Sequence, residues 1–130
     1  SVYKIARKDV NETRDEMIKR HIEKEVKIAY DSGVKIATGT DFLGTFDEPH
    51  GSNWKEILYL SEIIGNESAM KAATSSAADC VGLTNIGSIK KGFRADIIAV
   101  KGNPLENPMA LSPENVVLVI KGGQVIKSLL

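Results

Sequence analysis

Residues 34–41, Val-Lys-Ile-Ala-Thr-Gly-Thr-Asp, constrain this chain more than any other stretch. Residues 34–38 are a short, β-branched, mostly apolar run, which is the pattern of a buried strand in a parallel sheet. Gly39 ends the run, and Asp41 follows just past its C-terminal end. Parallel α/β folds place their chemistry at that end of their strands. Asp41 can therefore be a metal ligand or a general base. It can also be a plain turn residue, because Asp hydrogen-bonds its own backbone in turns. Eight residues leave the three open.

The flanks of this stretch alternate helix and loop. Residues 11–31 predict a long amphipathic helix. Thr13 and Glu16 have capping-box spacing, and Ile18, Ile22, Val26 and Ala29 form one apolar stripe. Gly33 stands where a C-terminal cap belongs. His21 lies beside the stripe and reads as a packing or surface residue. The loop from 39 to 51 is long for a βα connection, which usually takes about 2–6 residues, and long loops at the active end of a sheet tend to be functional. It carries Asp41, Asp47, Glu48 and His50. Asp47 and Glu48 read as a solvated pair. His50 is either a substrate-facing group or an exposed loop histidine.

Asn53 and Glu56 have cap spacing for a second helix over 54–64, with Trp54, Ile57, Leu58 and Ile64 as its apolar face. Gly65-Asn66 stops it and starts a third helix, through about residue 74. Ser75-Ser76 opens a short one over 77–81, ended by Gly82. The alanines at 69, 72, 73, 77 and 78 allow close helix packing, and Cys80 among them reads as a small buried apolar residue. After Leu83 the pattern changes to β-type runs punctuated by glycine. Residues 96–100 are one strand. Residues 116–120 and 124–126 flank Lys121-Gly122-Gly123 as a hairpin. The chain thus divides at residue 83, into 1–83 and 84–130.

Length and charge narrow the class. The 130 residues suffice for one ordinary domain with a core, but not for a complete eight-stranded α/β barrel of about 250 residues. Seventeen basic residues balance seventeen acidic ones with no basic stripe, so nucleic acid is not an expected partner. No apolar run approaches the roughly 18 residues of a membrane span, so no membrane is expected either. Ser1-Val2-Tyr3-Lys4 has no apolar signal region, and the absent initiator methionine reads as a trimmed chain or a fragment. The single Cys80 excludes an internal disulfide and fits a reducing, cytoplasmic setting. Two histidines and one cysteine cannot build a histidine- or cysteine-rich metal site unaided. No repeat occurs, and Gly39-Thr40-Asp41 resembles no nucleotide-binding loop.

Three segments together resemble the C-terminal part of an amidohydrolase-superfamily enzyme: residues 32–41, residues 73–83, and Gly87-Ser-Ile-Lys-Lys-Gly-Phe-Arg-Ala-Asp96 with its continuation to Leu105. The last is similar to the Gly-Ser-Ile-x-x-Gly-x-x-Ala-Asp pattern with which such proteins leave the barrel for a small β-sandwich. Pro49-His50-Gly51 adds a likeness to the imidazolonepropionase-like and Xaa-Pro dipeptidase-like branch. The resemblance covers nearly the whole chain but only about the last third of a full member.

It implies a fold: the C-terminal fragment of a TIM-like (β/α)8 barrel followed by part of a small β-sandwich. On this basis residues 1–3 end strand seven, 11–31 are helix seven, 34–38 strand eight and 54–64 helix eight. Residues 84–130 supply sandwich strands. The resemblance also implies a function, metal-dependent hydrolysis of a C–N bond in a small-molecule or peptide-like substrate. Cyclic amide hydrolysis and amine deamination are alternatives, and a non-catalytic module is the rival. Asp41 matches the family's eighth-strand aspartate, which binds the divalent metal and accepts a proton from its bound water. The metal implied is one or two ions of Zn²⁺, held mostly by histidines and a carboxylated lysine on earlier strands. A lone parallel strand leaves both edges unpaired. The piece is therefore expected to be inactive alone and to form a homo-oligomer or pair residues 34–38 elsewhere.

Overall fold

A computed structural model of the protein describes residues 14–40 and 51–130, without the side chains of residues 14, 15 and 18. The expected strand-seven remnant and the Thr13 cap lie outside these residues. Four helices come first: α1 (Arg14–Asp31), α2 (Lys55–Ile64), α3 (Asn66–Ala72) and α4 (Ser75–Cys80). Three strands follow, β1 (Ile97–Val100), β2 (Val116–Lys121) and β3 (Gln124–Ser128).

Glycines set the helix ends as their backbone freedom requires. Gly33, at φ 79°, closes α1 in a Schellman motif: Val34 N–H donates to Ala29 C=O and Gly33 N–H to Tyr30 C=O, both at 3.0 Å. Gly65, at φ 83°, ends α2 and begins α3 in a single residue. That sharp turn lays α3 back on α2. Ala69 and Ala72 are then fully covered against Leu60 and Ile64, with Val26, Ile36, Ile57 and Ile63 packed around them. Alanine is what permits such close backbone approach, so the structural reading of these alanines holds.

Two expectations fail. Cys80 is exposed at the end of α4, because the covered position on that short helix falls to Ala78. Residues 34–40 form no strand. A strand needs a ladder partner, and the sheet among the described residues is a three-stranded antiparallel one, β1-β2-β3, in which residues 34–38 have no place. The apolar stripe of α1 is also only partly used. Val26 packs on the core, but Ile22 is 52% exposed.

The β unit confirms the hairpin. Lys121 pairs with Gln124 across Gly122-Gly123, both at positive φ (58° and 84°), the geometry of a type I′ turn. The Ala-Asp end of the sequence motif explains itself here. The Asp96 carboxylate accepts from Gly122 N–H at 2.7 Å, and Ala95 C=O accepts from Gly123 N–H at 3.0 Å. Arg94 Nε pairs with Asp96 at 3.0 Å. The start of β1 thus holds the turn joining β2 to β3. Asp96→Ala is expected to lose about 1 kcal/mol, less than the roughly 1.5–3 kcal/mol usual for a bond to a charged group, because Asp96 is exposed. It should also speed amide exchange at Gly122, whereas Asp96→Asn retains most of both. Denaturant midpoints and exchange rates check this.

Among the described residues, two contacts tie the parts of the chain beside the packing of α2 on the turn 108–111. Asn66 Nδ2, in the first turn of α3, donates to the Leu105 and Glu106 carbonyls at 2.8 and 3.2 Å. Gly87 packs directly on α4 and the turn before it. A Cβ added there would lie 2.7 Å from Thr74 C=O and 2.9 Å from Ala78 Cβ.

Candidate functional site

The backbone leading to Asp41 is held from two sides. On an extended chain, successive N–H groups point in opposite directions. Thr38 N–H donates to Ala72 C=O at the end of α3, at 3.1 Å. Gly39 N–H donates to Glu56 Oε1 in the first turn of α2, at 2.9 Å. The segment that was expected to find neighbouring strands finds helix groups at these two positions. Below it, Lys35 Nζ meets Asp79 Oδ2 at 2.8 Å, fixing the segment to α4. That hydrogen bond, and then the charge of Asp79, raise the Lys35 pKa. The pair is exposed, and such pairs contribute little. The half-buried Ile36 is the stronger anchor, because it reaches the core of α2 and α3.

A cleft of about 390 Å³ opens on Thr38, Gly39 and Thr40. Asn53 and Trp54, in the 3₁₀ turn Ser52–Trp54 that leads into α2, and Glu56 of α2 form one wall, and Ile98 and Leu111 bring the β unit to its rim. Leu111 is placed by a 3₁₀ turn, Pro108–Leu111, in which Asn107 Oδ1 accepts from Met109 N–H at 3.0 Å. Among the described lining residues, Glu56 is the single titratable group. Sequence reasoning took Glu56 for half of a capping box with Asn53. In the structure the cap position belongs to Trp54 without a side-chain bond, and Glu56 reaches across to Gly39 instead. Only its spacing from Asn53 marked it in the sequence, and that spacing pointed to a local partner.

Asp41 and His50, the two residues singled out for chemistry, lie outside the described residues, as do Asp47 and Glu48. Thr40, the residue before Asp41, is at the cleft. His21 is an exposed residue of α1, with Nε2 2.9 Å from Glu25 Oε1, in keeping with a surface role. Among the described residues no group of three or more His, Cys, Asp or Glu side chains could hold a metal ion. No helix among them is long and apolar enough to cross a membrane.

The chain has relatives over about three quarters or more of its length. It is 38% identical over 106 residues to ochratoxinase of Aspergillus niger, covering 76% of this chain and 21% of that protein. It is 33% identical over 113 residues to a 5-methylthioadenosine/S-adenosylhomocysteine deaminase of Caldicellulosiruptor saccharolyticus, covering 73% and 26%. Among solved structures, a prolidase in complex with N-methylphosphonate-L-proline superposes with a TM-score of 0.73 at 31% identity, over 82% of this chain and 26% of that one. The ochratoxinase structure gives 0.70 at 35%, over 82% and 24%. The chain spans about a quarter of the length of these relatives. The prolidase match bears out the expected Xaa-Pro dipeptidase-like branch. The sequence profile of the amidohydrolase family matches residues 4–126. With the helix order, the Asp96-held hairpin and these superpositions in agreement, the chain belongs to the amidohydrolase family.

Proposed function

We propose that the protein carrying this chain hydrolyses an amide or peptide-like C–N bond, and that Asp41 is the carboxylate this chain gives to the site. One observation carries the reading: Thr38 and Gly39 are hydrogen-bonded to α3 and α2, and residues 38–40 line a cleft immediately before Asp41 in sequence. That is where a family member's eighth strand would deliver its acid. The names of the relatives support the bond type, since a prolidase and an ochratoxinase both stand among them.

On the same reading, residues 1–83 close a (β/α)8 barrel and residues 84–130 belong to its small β-sandwich. The rest of the barrel would then supply the strands that residues 34–38 lack here. The described residues do not themselves fit a metal ion. A divalent ion, Zn²⁺ by preference, belongs to the proposal only as a group held mainly by side chains outside this chain. When bound, it supplies an acidified water. Asp41 contributes a negative charge and a proton acceptor, and His50 faces substrate from the same loop. A cytoplasmic homo-oligomer completes the proposal.

The deciding experiment assays the full-length protein, loaded with Zn²⁺, against Xaa-Pro dipeptides, N-acyl amino acids and 5-methylthioadenosine. Turnover of the first two supports amide hydrolysis. Turnover of the third alone favours the deaminase alternative that the 33% identical relative suggests. No turnover of any of them favours a non-catalytic module. A companion measurement concerns the 130 residues alone. One carboxylate and two separate imidazoles fall short of the three or four ligands that zinc prefers. Calorimetry is expected to find no tight stoichiometric zinc site, and the assay no activity.

A further inference from the structure

We propose that Glu56 is a positioning residue, whose carboxylate sets the backbone from which Asp41 departs. The inference rests on the role given to Asp41 above. Glu56 lies in the first turn of α2, where a carboxylate would ordinarily serve its own helix terminus. Its Oε1 instead accepts Gly39 N–H, 17 residues back in the chain, at 2.9 Å. The helix behind it is rooted in the core by Leu60 and Ile64, so the acceptor is fixed rather than carried on a loose loop. Thr38 N–H is fixed from the other side by Ala72 C=O. Two adjacent peptide units are therefore located by two different helices.

The space beside Gly39 is open, since a Cβ there would meet nothing within 4 Å. The next residue, Thr40, is exposed and lines the cleft. Only Thr40 separates the clamped peptide from Asp41. A shift of the Gly39 peptide would move the point from which the chain enters Asp41. Misplacement of a reacting group by about 1 Å can lower a rate roughly 10²-fold. The bond to a carboxylate is of the stronger, charge-assisted kind, yet its geometric role needs only an acceptor oxygen. Glutamine keeps that oxygen and alanine does not.

The test uses the full-length, metal-loaded protein, with an Ala-Pro dipeptide as the probe of turnover and hydrogen exchange of the peptide containing residue 39 as a readout independent of it. Glu56→Ala is expected to lower kcat by about ten- to a hundredfold with KM changed less than about threefold. It should also accelerate exchange at Gly39. Glu56→Gln should restore both to within a few-fold of wild type. In the double variant Asp41→Asn/Glu56→Ala, the second change should lower kcat no further than Asp41→Asn alone, because Glu56 acts only through Asp41. Three results would each overturn the inference: unchanged kcat or exchange in Glu56→Ala, Glu56→Gln as impaired as Glu56→Ala, or a Glu56→Ala protein that does not fold. If Asp41→Asn itself turns over normally, the role assigned to Asp41 fails, and the inference with it. Loss of activity in Asp41→Asn with normal turnover in Glu56→Ala sinks the positioning role alone.

Discussion

Asp41→Asn, made in the full-length protein, is expected to lower kcat by about three orders of magnitude or more and to leave the circular dichroism spectrum unchanged. The substitution keeps the shape and removes both the charge and the proton acceptor. Loss of a general base typically lowers a rate by about 10²–10⁴-fold, and loss of a charge beside a metal adds to that. Three decades correspond to about 4 kcal/mol of transition-state stabilisation. The fold is expected to survive, because residues 36–39 are held by Ile36 in the core and by the Thr38 and Gly39 amides on α3 and α2. Asp47→Asn and Glu48→Gln should each have a far smaller effect, since neither matches a family position. Steady-state kinetics of the three variants decide it. Near wild-type turnover in Asp41→Asn with a dead Asp47→Asn would move the chemistry down the loop.

The largest stability effect is expected at Gly87. Its φ of +78° is disfavoured for any residue with a Cβ, by roughly 1–2 kcal/mol. The added methyl would also lie 2.7 Å from the Thr74 carbonyl oxygen and 2.9 Å from Ala78 Cβ. Neither neighbour can rotate away, because one is backbone and the other a methyl on a buried helix position. Overpacking of this kind costs about 1–3 kcal/mol. Gly87→Ala should therefore destabilise the protein by about 2–5 kcal/mol. Gly92→Ala is the control: its φ is +85°, but nothing lies within 4 Å of the new Cβ. It should show only the conformational part, about 1–2 kcal/mol. Denaturant unfolding of both variants separates clash from strain, and equal losses would mean that the contact on α4 yields easily.

What the sequence made legible was local. Gly33, Gly65 and the Gly122-Gly123 pair each announce an end or a turn whose geometry is settled within a few residues, and each stands where expected. What it hid depends on partners far along the chain. The apolar run 34–38 has strand composition, but a ladder requires another strand alongside, and the amide of Thr38 and that of Gly39 just past it are met by helix groups instead. Cys80 was judged by the burial habits of its residue type, whereas its exposure follows from which side of a six-residue helix Ala78 occupies. Glu56 carried the spacing of a local cap, and no local pattern could reveal an acceptor for Gly39. The motif Gly87 to Asp96 was visible as a motif, yet its physical reasons appear only when Gly87 meets α4 and Asp96 meets the hairpin turn.

The three-stranded sheet has a practical consequence. Among the described residues β1 and β3 are its outer strands, and neither has a neighbour on its far side. Val125 and Ile126 on β3 and Ile98 on β1 are more than half exposed. Open, apolar strand edges are templates on which another chain can add a strand. The 130 residues produced by themselves are therefore a candidate for edge-to-edge growth. Charge offers little protection, because the chain is formally neutral at pH 7. Handling it away from neutral pH, or with a lysine at Val125 or Ile98, is the direct way to keep it dispersed.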